Sequence, residues 1–95
     1  MFEMNALVLS TNKYNFTADD GNNIRGASAY LCYGGGDEFV TGYQPVKVNI
    51  SEDLANKLAS SGLPAVVKFK ATVDSRRGTV KPHDIVASKY LELSL

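Results

Sequence analysis

The sequence predicts an all-β domain carrying one short helix. Three observations predict it. Apolar and polar residues alternate in two stretches, 43–50 and 63–73. Clusters of Gly, Asp and Asn punctuate the chain at short intervals. Only one segment, 51–61, carries the spacing of a helix. A period of two sends successive side chains to opposite faces of a strand, whereas residues three and four apart share one face of a helix.

The first strand runs from Asn5 to Phe16, around Ala6-Leu7-Val8-Leu9 and a mixed polar and aromatic continuation. Asp19-Asp20-Gly21-Asn22-Asn23 is a turn. Gly and Asn accept positive φ there, and Asp can bond its own backbone. Ile24 to Tyr33 is the second strand, and the two should form a hairpin. Gly34-Gly35-Gly36-Asp37-Glu38 is a flexible loop. In the third strand, Tyr43 to Ile50, Val46, Val48 and Ile50 share one face, with Tyr43, Pro45, Lys47 and Asn49 on the other. Pro45 belongs near the strand's start or on an edge, because it has no N–H to donate.

Ser51 to Ser61 is the helix. Ser51 is placed to cap it, and Glu52 and Asp53 put negative charge at its positive end. Leu54 and Leu58 share a face, Ala55 adjoins them, and Gly62 with Pro64 ends the segment. Leu63 to Val73 follows, with Ala65, Val67, Phe69, Ala71 and Val73 inward and Val66, Lys68, Lys70 and Thr72 outward. Asp74-Ser75-Arg76-Arg77-Gly78 is a hairpin tip. Thr79 to Leu93 is the last strand, bent at Pro82, with Ile85, Ala87, Leu91 and Leu93 apolar.

Five strands with a helix between the third and fourth is the order of a small five-stranded OB-like Greek-key barrel. An SH3-like barrel or a half-open sandwich would give a similar string. The 95 residues are one domain's worth, spanning 1–95.

Lys and Arg total 10, Asp and Glu total 10, and net charge is zero. That excludes a globally basic nucleic-acid binder and an acidic disordered tail, but not local patches. Cys32 is the only cysteine, so no intramolecular disulfide framework or multi-cysteine metal site is expected. One histidine, His83, leaves little for zinc. No apolar run approaches the roughly 20 residues that span a bilayer. Met1-Phe2-Glu3-Met4-Asn5 lacks the basic-then-apolar order of a signal peptide. The expectation is a soluble cytoplasmic protein without membrane partner or cofactor.

Catalysis is not expected. His83, between Pro82 and Asp84, reads as a polar residue on a strand surface. The acidic pairs Asp19-Asp20, Asp37-Glu38 and Glu52-Asp53 fall in turns, a loop and a helix start, where acids are structural. Cys32 has no adjacent Lys or Arg and reads as a small buried residue. The triple glycine is followed by two acids that would repel a phosphate, so it is a connector. What remains is an interleaving of Tyr30, Tyr33 and Tyr43 with Arg25, Lys47, Arg76, Arg77 and Lys81. Single-stranded nucleic acid is held by such sets, with cations on phosphates and rings on bases. Half-exposed strands also favour Tyr and Lys for reasons of propensity and edge protection.

Several short runs carry a resemblance. They are Phe16-Thr17 before Gly21; Arg25-Gly26; Leu31-Cys32-Tyr33; Tyr43 with Pro45-Val46-Lys47-Val48-Asn49-Ile50-Ser51; Leu63-Pro64-Ala65-Val66-Val67; and Arg76-Arg77-Gly78. Over about residues 14 to 93 the chain resembles the single-stranded DNA-binding proteins of filamentous bacteriophages, or a distant phage or plasmid relative of them. The resemblance implies an OB-like barrel that forms a homodimer and coats single-stranded DNA cooperatively during replication, in the host cytoplasm if phage-encoded. It implies a protruding hairpin, 16–29, with Arg25 as the matching cation. Tyr33 matches a tyrosine of the binding face, and Tyr43 a nearby exposed one. Lys47 stands one residue off the family's basic position. Arg77 replaces the hairpin-tip aromatic, and a guanidinium plane can also stack. The chain departs from the family at Asp19 and Asp20, which occupy the first hairpin's tip, and in its longer helix.

The expectation is therefore a protein that binds single-stranded DNA with little sequence preference. Arg25, Lys47, Arg76, Arg77 and Lys81 would meet phosphates. Tyr30, Tyr33 and Tyr43 would supply stacking surfaces. Residues three apart face opposite ways, so at most one of Tyr30 and Tyr33 stacks unless a bulge intervenes, and the resemblance ranks Tyr33 first. About four neutralised phosphates would give a log–log salt slope of roughly −3. Leu91, Leu93 and Leu95 are surplus apolar residues suited to a dimer contact. The alternative is a small β-barrel protein-interaction module, which zero net charge and the acidic loops favour. Gathering of the cations into one groove with a tyrosine separates the two.

Overall fold

A computed structural model of the chain describes residues 1–33, 44–76 and 78–92. Tyr43, the triple-glycine loop, Arg77, Leu93 and Leu95 lie outside the described residues. The elements run β1 (Phe2–Thr17), β2 (Asn23–Cys32), β3 (Val46–Ile50), α1 (Glu52–Ser61), β4 (Ala65–Asp74) and β5 (Thr79–Tyr90). The strands form one antiparallel sheet in the order β3-β2-β1-β4-β5.

The central strand β1 is 16 residues long and serves two partners in succession. Phe2 to Val8 pair with β4, and Leu7 to Thr17 pair with β2. A register shift between Val8 and Ser10 leaves Leu9 unpaired where the partners change. An extra residue of this kind bends a strand and sharpens its twist.

The sheet is all-β as expected, but it does not close into the expected barrel. The edges β3 and β5 approach one another, with Cα atoms within 8 Å, and no ladder joins them. The edges themselves supply the reason. β3 has only five residues, and β5 carries Pro82 and two register shifts against β4. A short edge, a missing N–H and bulges all oppose regular pairing.

The core lies on the inner face. In β4 the alternation is strict: Ala65, Val67, Phe69 and Ala71 are buried, and the residues between them are not. Val8, Leu31, Val48 and Ile50 meet them from the other strands. Leu54, Ala55 and Leu58 of α1 cover this face. Ser51 caps the helix, its hydroxyl accepting from the Leu54 N–H at 3.1 Å. Gly62 ends it at φ 88°, a conformation that favours glycine.

Two expectations fail at the sheet's ends. Val73, read as inward, is 66% exposed. β1 begins at Phe2 opposite Ala71, so β1 supplies no partner level with Val73. β5 ends at Tyr90 rather than Leu93. The register shifts along β5 also pair Ala87 with outward Lys68, which places Ala87 on the outer face. Leu91 is half-buried, and its N–H donates to the Pro64 carbonyl at 2.9 Å.

Beyond the core, β1 and β2 continue as a two-stranded ribbon. The pairing of β2 with β3 ends at Ala27–Ile50, while pairing with β1 continues to Thr17–Asn23. Its turn is built as the residues require. Gly21 adopts φ 87°, and Asp20 accepts from the Asn22 N–H at 3.0 Å and side-chain amide at 2.9 Å.

Candidate nucleic-acid interface

Directly opposed residues of an antiparallel pair share a face. The register therefore lays out the outer face of β1, β2 and β3 row by row. Ser10, Tyr30 and Lys47 form one row. Asn12, Ser28 and Asn49 form the next. Tyr14 with Gly26, then Phe16 with Ile24, complete the face along the ribbon. No carboxylate occurs in these four rows.

Three rings stand open on this face. Tyr30 is 44% exposed, Phe16 54% and Tyr14 37%. Tyr14 and Phe16 have ring centroids 6.4 Å apart with planes tilted by 42°. Gly26 makes room for the first of them: a Cβ at that position would lie 2.6 Å from Tyr14 Oη. Ser28 in the middle row is buried, so the face offers ring surfaces, the side-chain amides of Asn12 and Asn49, and one ammonium beside Tyr30.

The ribbon's other face is different. Lys13 and Arg25 point toward α1. Lys13 Nζ donates to Asn56 Oδ1 at 2.8 Å. Arg25 Nη2 lies 3.2 Å from both carboxylate oxygens of Glu52, and Nε lies 3.4 Å from Oε1. Arg25 is thus on the opposite face from Tyr30 and Lys47.

The remaining residues singled out from the sequence are dispersed. Tyr33 is half-buried and packs against the core, whereas Tyr30 faces out. Arg76 is exposed in the β4–β5 turn, where its N–H donates to Asp74 Oδ1 at 3.1 Å. Lys81 pairs with Thr72, beyond the first residue of β1 and at the other end of the sheet from the ribbon. Of the eight named residues, the described structure brings together Tyr30 and Lys47. Tyr14 is not among the residues named from the sequence, and Phe16 and Gly26 are named there only as carrying the resemblance, not as site residues. The alternation Tyr14-Asn15-Phe16 just before the turn is the signal that points to them.

The outer face of β4 and β5 carries Lys68, Lys70, Lys81 and Lys89, with acids among them. Lys68 pairs with Glu3 at 3.0 Å. Asp84 accepts from the Ile85 N–H at 2.9 Å and pairs with Lys57 of α1 at 3.3 Å. The Ile85 amide, and then Lys57, hold the Asp84 carboxyl below its ordinary pKa. His83 Nε2 lies 2.7 Å from Thr72 Oγ1. Among the described residues no three His, Cys, Asp or Glu side chains gather as metal ligands, and no helix is long and apolar enough to cross a membrane.

Comparison of the chain with protein-family models, curated proteins and solved structures finds no match.

Proposed function

We propose that the protein binds single-stranded DNA, largely independently of sequence, through the outer face of β1, β2 and β3. The supporting observation is the set of four rows without a carboxylate in which Tyr30 stands opposite Lys47 and the Tyr14 and Phe16 rings continue along the ribbon. Every base has a π-face, so rings of this kind hold a strand without reading it. Lys47 is the only cation in these rows. Electrostatics then contribute little, and the salt slope is shallower than four phosphates would give, at about −0.7 for one contact. The resemblance to phage single-strand binders supports a role in phage or mobile-element replication and a homodimeric state.

The dispersal of Arg25, Arg76 and Lys81 favours the second reading, a protein-interaction surface on the same rings. One titration separates the two. Fluorescence anisotropy of a labelled oligo-dT of about 20–30 nucleotides is followed at two salt concentrations. Tyr30→Ala should weaken binding by roughly 5- to 150-fold, the loss of one stacked base. Lys47→Ala should flatten the salt slope by about 0.7. Absence of wild-type binding even at low salt overturns the proposal and leaves the interaction module.

A further inference from the structure

The ribbon's two faces divide its chemistry. The rings are on the open face, and the cations are turned to α1. Both cations are engaged there by residues one helical turn apart, Arg25 by Glu52 and Lys13 by Asn56. The Arg25–Glu52 contact uses both carboxylate oxygens, so it presents to the guanidinium what a phosphate would present. The pair remains near solvent: the Arg25 side chain is 62% exposed and that of Glu52 is 34% exposed. The β2–β3 ladder ends at Ala27–Ile50, so among the described residues no strand pairs with that side of β2 at Arg25. A strand crossing the ring face and passing over that side would come within reach of the guanidinium.

We infer that Glu52 is a specificity-determining residue that withholds Arg25 from the phosphate backbone. The inference rests on the single-strand reading of the ring face. Its consequence is selectivity for unpaired strands. Phosphate contacts attract duplex and single strand alike, whereas rings reach only unstacked bases. Neutralising the ribbon's arginine from within keeps binding dependent on stacking. An exposed ion pair is weak, so the restraint is graded rather than absolute.

The test uses Glu52→Gln, with Asp53→Asn as its match. Asp53 is the other acid of the helix's first turn, and no contact to the ribbon involves it. Each variant is titrated by anisotropy into labelled oligo-dT and a labelled duplex of about 25 base pairs, after circular dichroism has established that it is folded. Glu52→Gln should bind the duplex about two- to five-fold more tightly at low salt, with the salt slope steeper by about 0.9. The gain on oligo-dT should be smaller. It should vanish in Arg25→Ala/Glu52→Gln, and Asp53→Asn should not show it. An equal gain in Asp53→Asn, a gain that survives Arg25→Ala, or no gain on either nucleic acid overturns the inference. If wild-type protein fails to bind oligo-dT, the single-strand reading falls. An Arg25-dependent gain on duplex would then show that Glu52 still masks the arginine.

Discussion

The two halves of β1 follow one alternation rule to opposite ends. In the first half, Ala6 and Val8 are buried, with Met4 packed beside them. In the second half, Tyr14 and Phe16 alternate just as regularly and stand exposed. The difference lies in what covers them. The first half has the core on its inner side and β4 along its edge. The second half has β2 as its strand partner, and its rings stand exposed on the outer face, beyond the register shift at Leu9. Period-two patterning therefore reports which residues share a face only between bulges: the register shift at Leu9 turns Tyr14 and Phe16 to the face opposite Ala6 and Val8. Three exposed rings in rows that hold no carboxylate are unexplained by folding, and that is why the functional proposal starts there.

The largest test of this contrast is a truncation in each half. Phe69 is fully buried in the core cluster, and Phe69→Ala should cost about 3–5 kcal/mol. Against a usual total of about 5–15 kcal/mol, that removes much of the domain's stability. Phe16→Ala, on the ribbon, should stay within about 0.5 kcal/mol. Urea unfolding followed by circular dichroism measures both. Similar costs for the two would mean that the ribbon's rings are structural, and the contrast would fail.

A subtler change sharpens the contrast. Gly26 lies beneath Tyr14 with no positive φ, so alanine fits its backbone but not the space. The added Cβ would displace the end of a movable ring rather than backbone. Gly26→Ala should therefore change stability by less than about 1 kcal/mol, the strain being offset by lower unfolded-state entropy. It should lift Tyr14 off the strand and weaken oligo-dT binding by less than Tyr30→Ala does. Tyr14 ring resonances in NMR spectra report the displacement, and unchanged resonances with full binding would remove Tyr14 from the interface.

Most of the fold was legible in the sequence because its strongest signals were local. Ser51, Gly62, the Asp20-Gly21 turn and the β4 alternation from Ala65 to Ala71 each dictate structure within a few residues, and each stands where the sequence places it. Closure of the sheet was not legible. It depends on how β3 meets β5, two edges far apart in the chain, one of them interrupted by bulges. The site was legible only in part for the same reason. Arg25 is a cation in any reading of the sequence, but its pairing with Glu52 spans 27 residues and exists only once α1 has docked. Tyr30 is exposed on the outer face while Tyr33, just past the end of β2, packs against the core, so the two face opposite ways as their spacing predicts. Their assignment was reversed because the resemblance ranked Tyr33 first, and the packed core claims it.

The smallest effect concerns how α1 is tied to each region. It reaches the ribbon through Glu52 and the edge strand β5 through Lys57 and Asp84. The Asp84 carboxyl is held below its ordinary pKa, first by the Ile85 N–H and then by Lys57. A depressed carboxylate contributes stability that is fully present above the unfolded value, near pH 4. The contribution is lost as pH falls through the folded value. Asp84→Asn should therefore lower the thermal midpoint slightly at pH 7 and leave it unchanged near pH 2, narrowing the acid-dependent part of the profile. Glu52→Gln should leave that profile's Asp84 component intact, because its contact is with the ribbon. If the two substitutions alter the acid limb identically, α1 senses both regions as one unit, and the ribbon is part of the core's cooperative structure rather than an appendage to it.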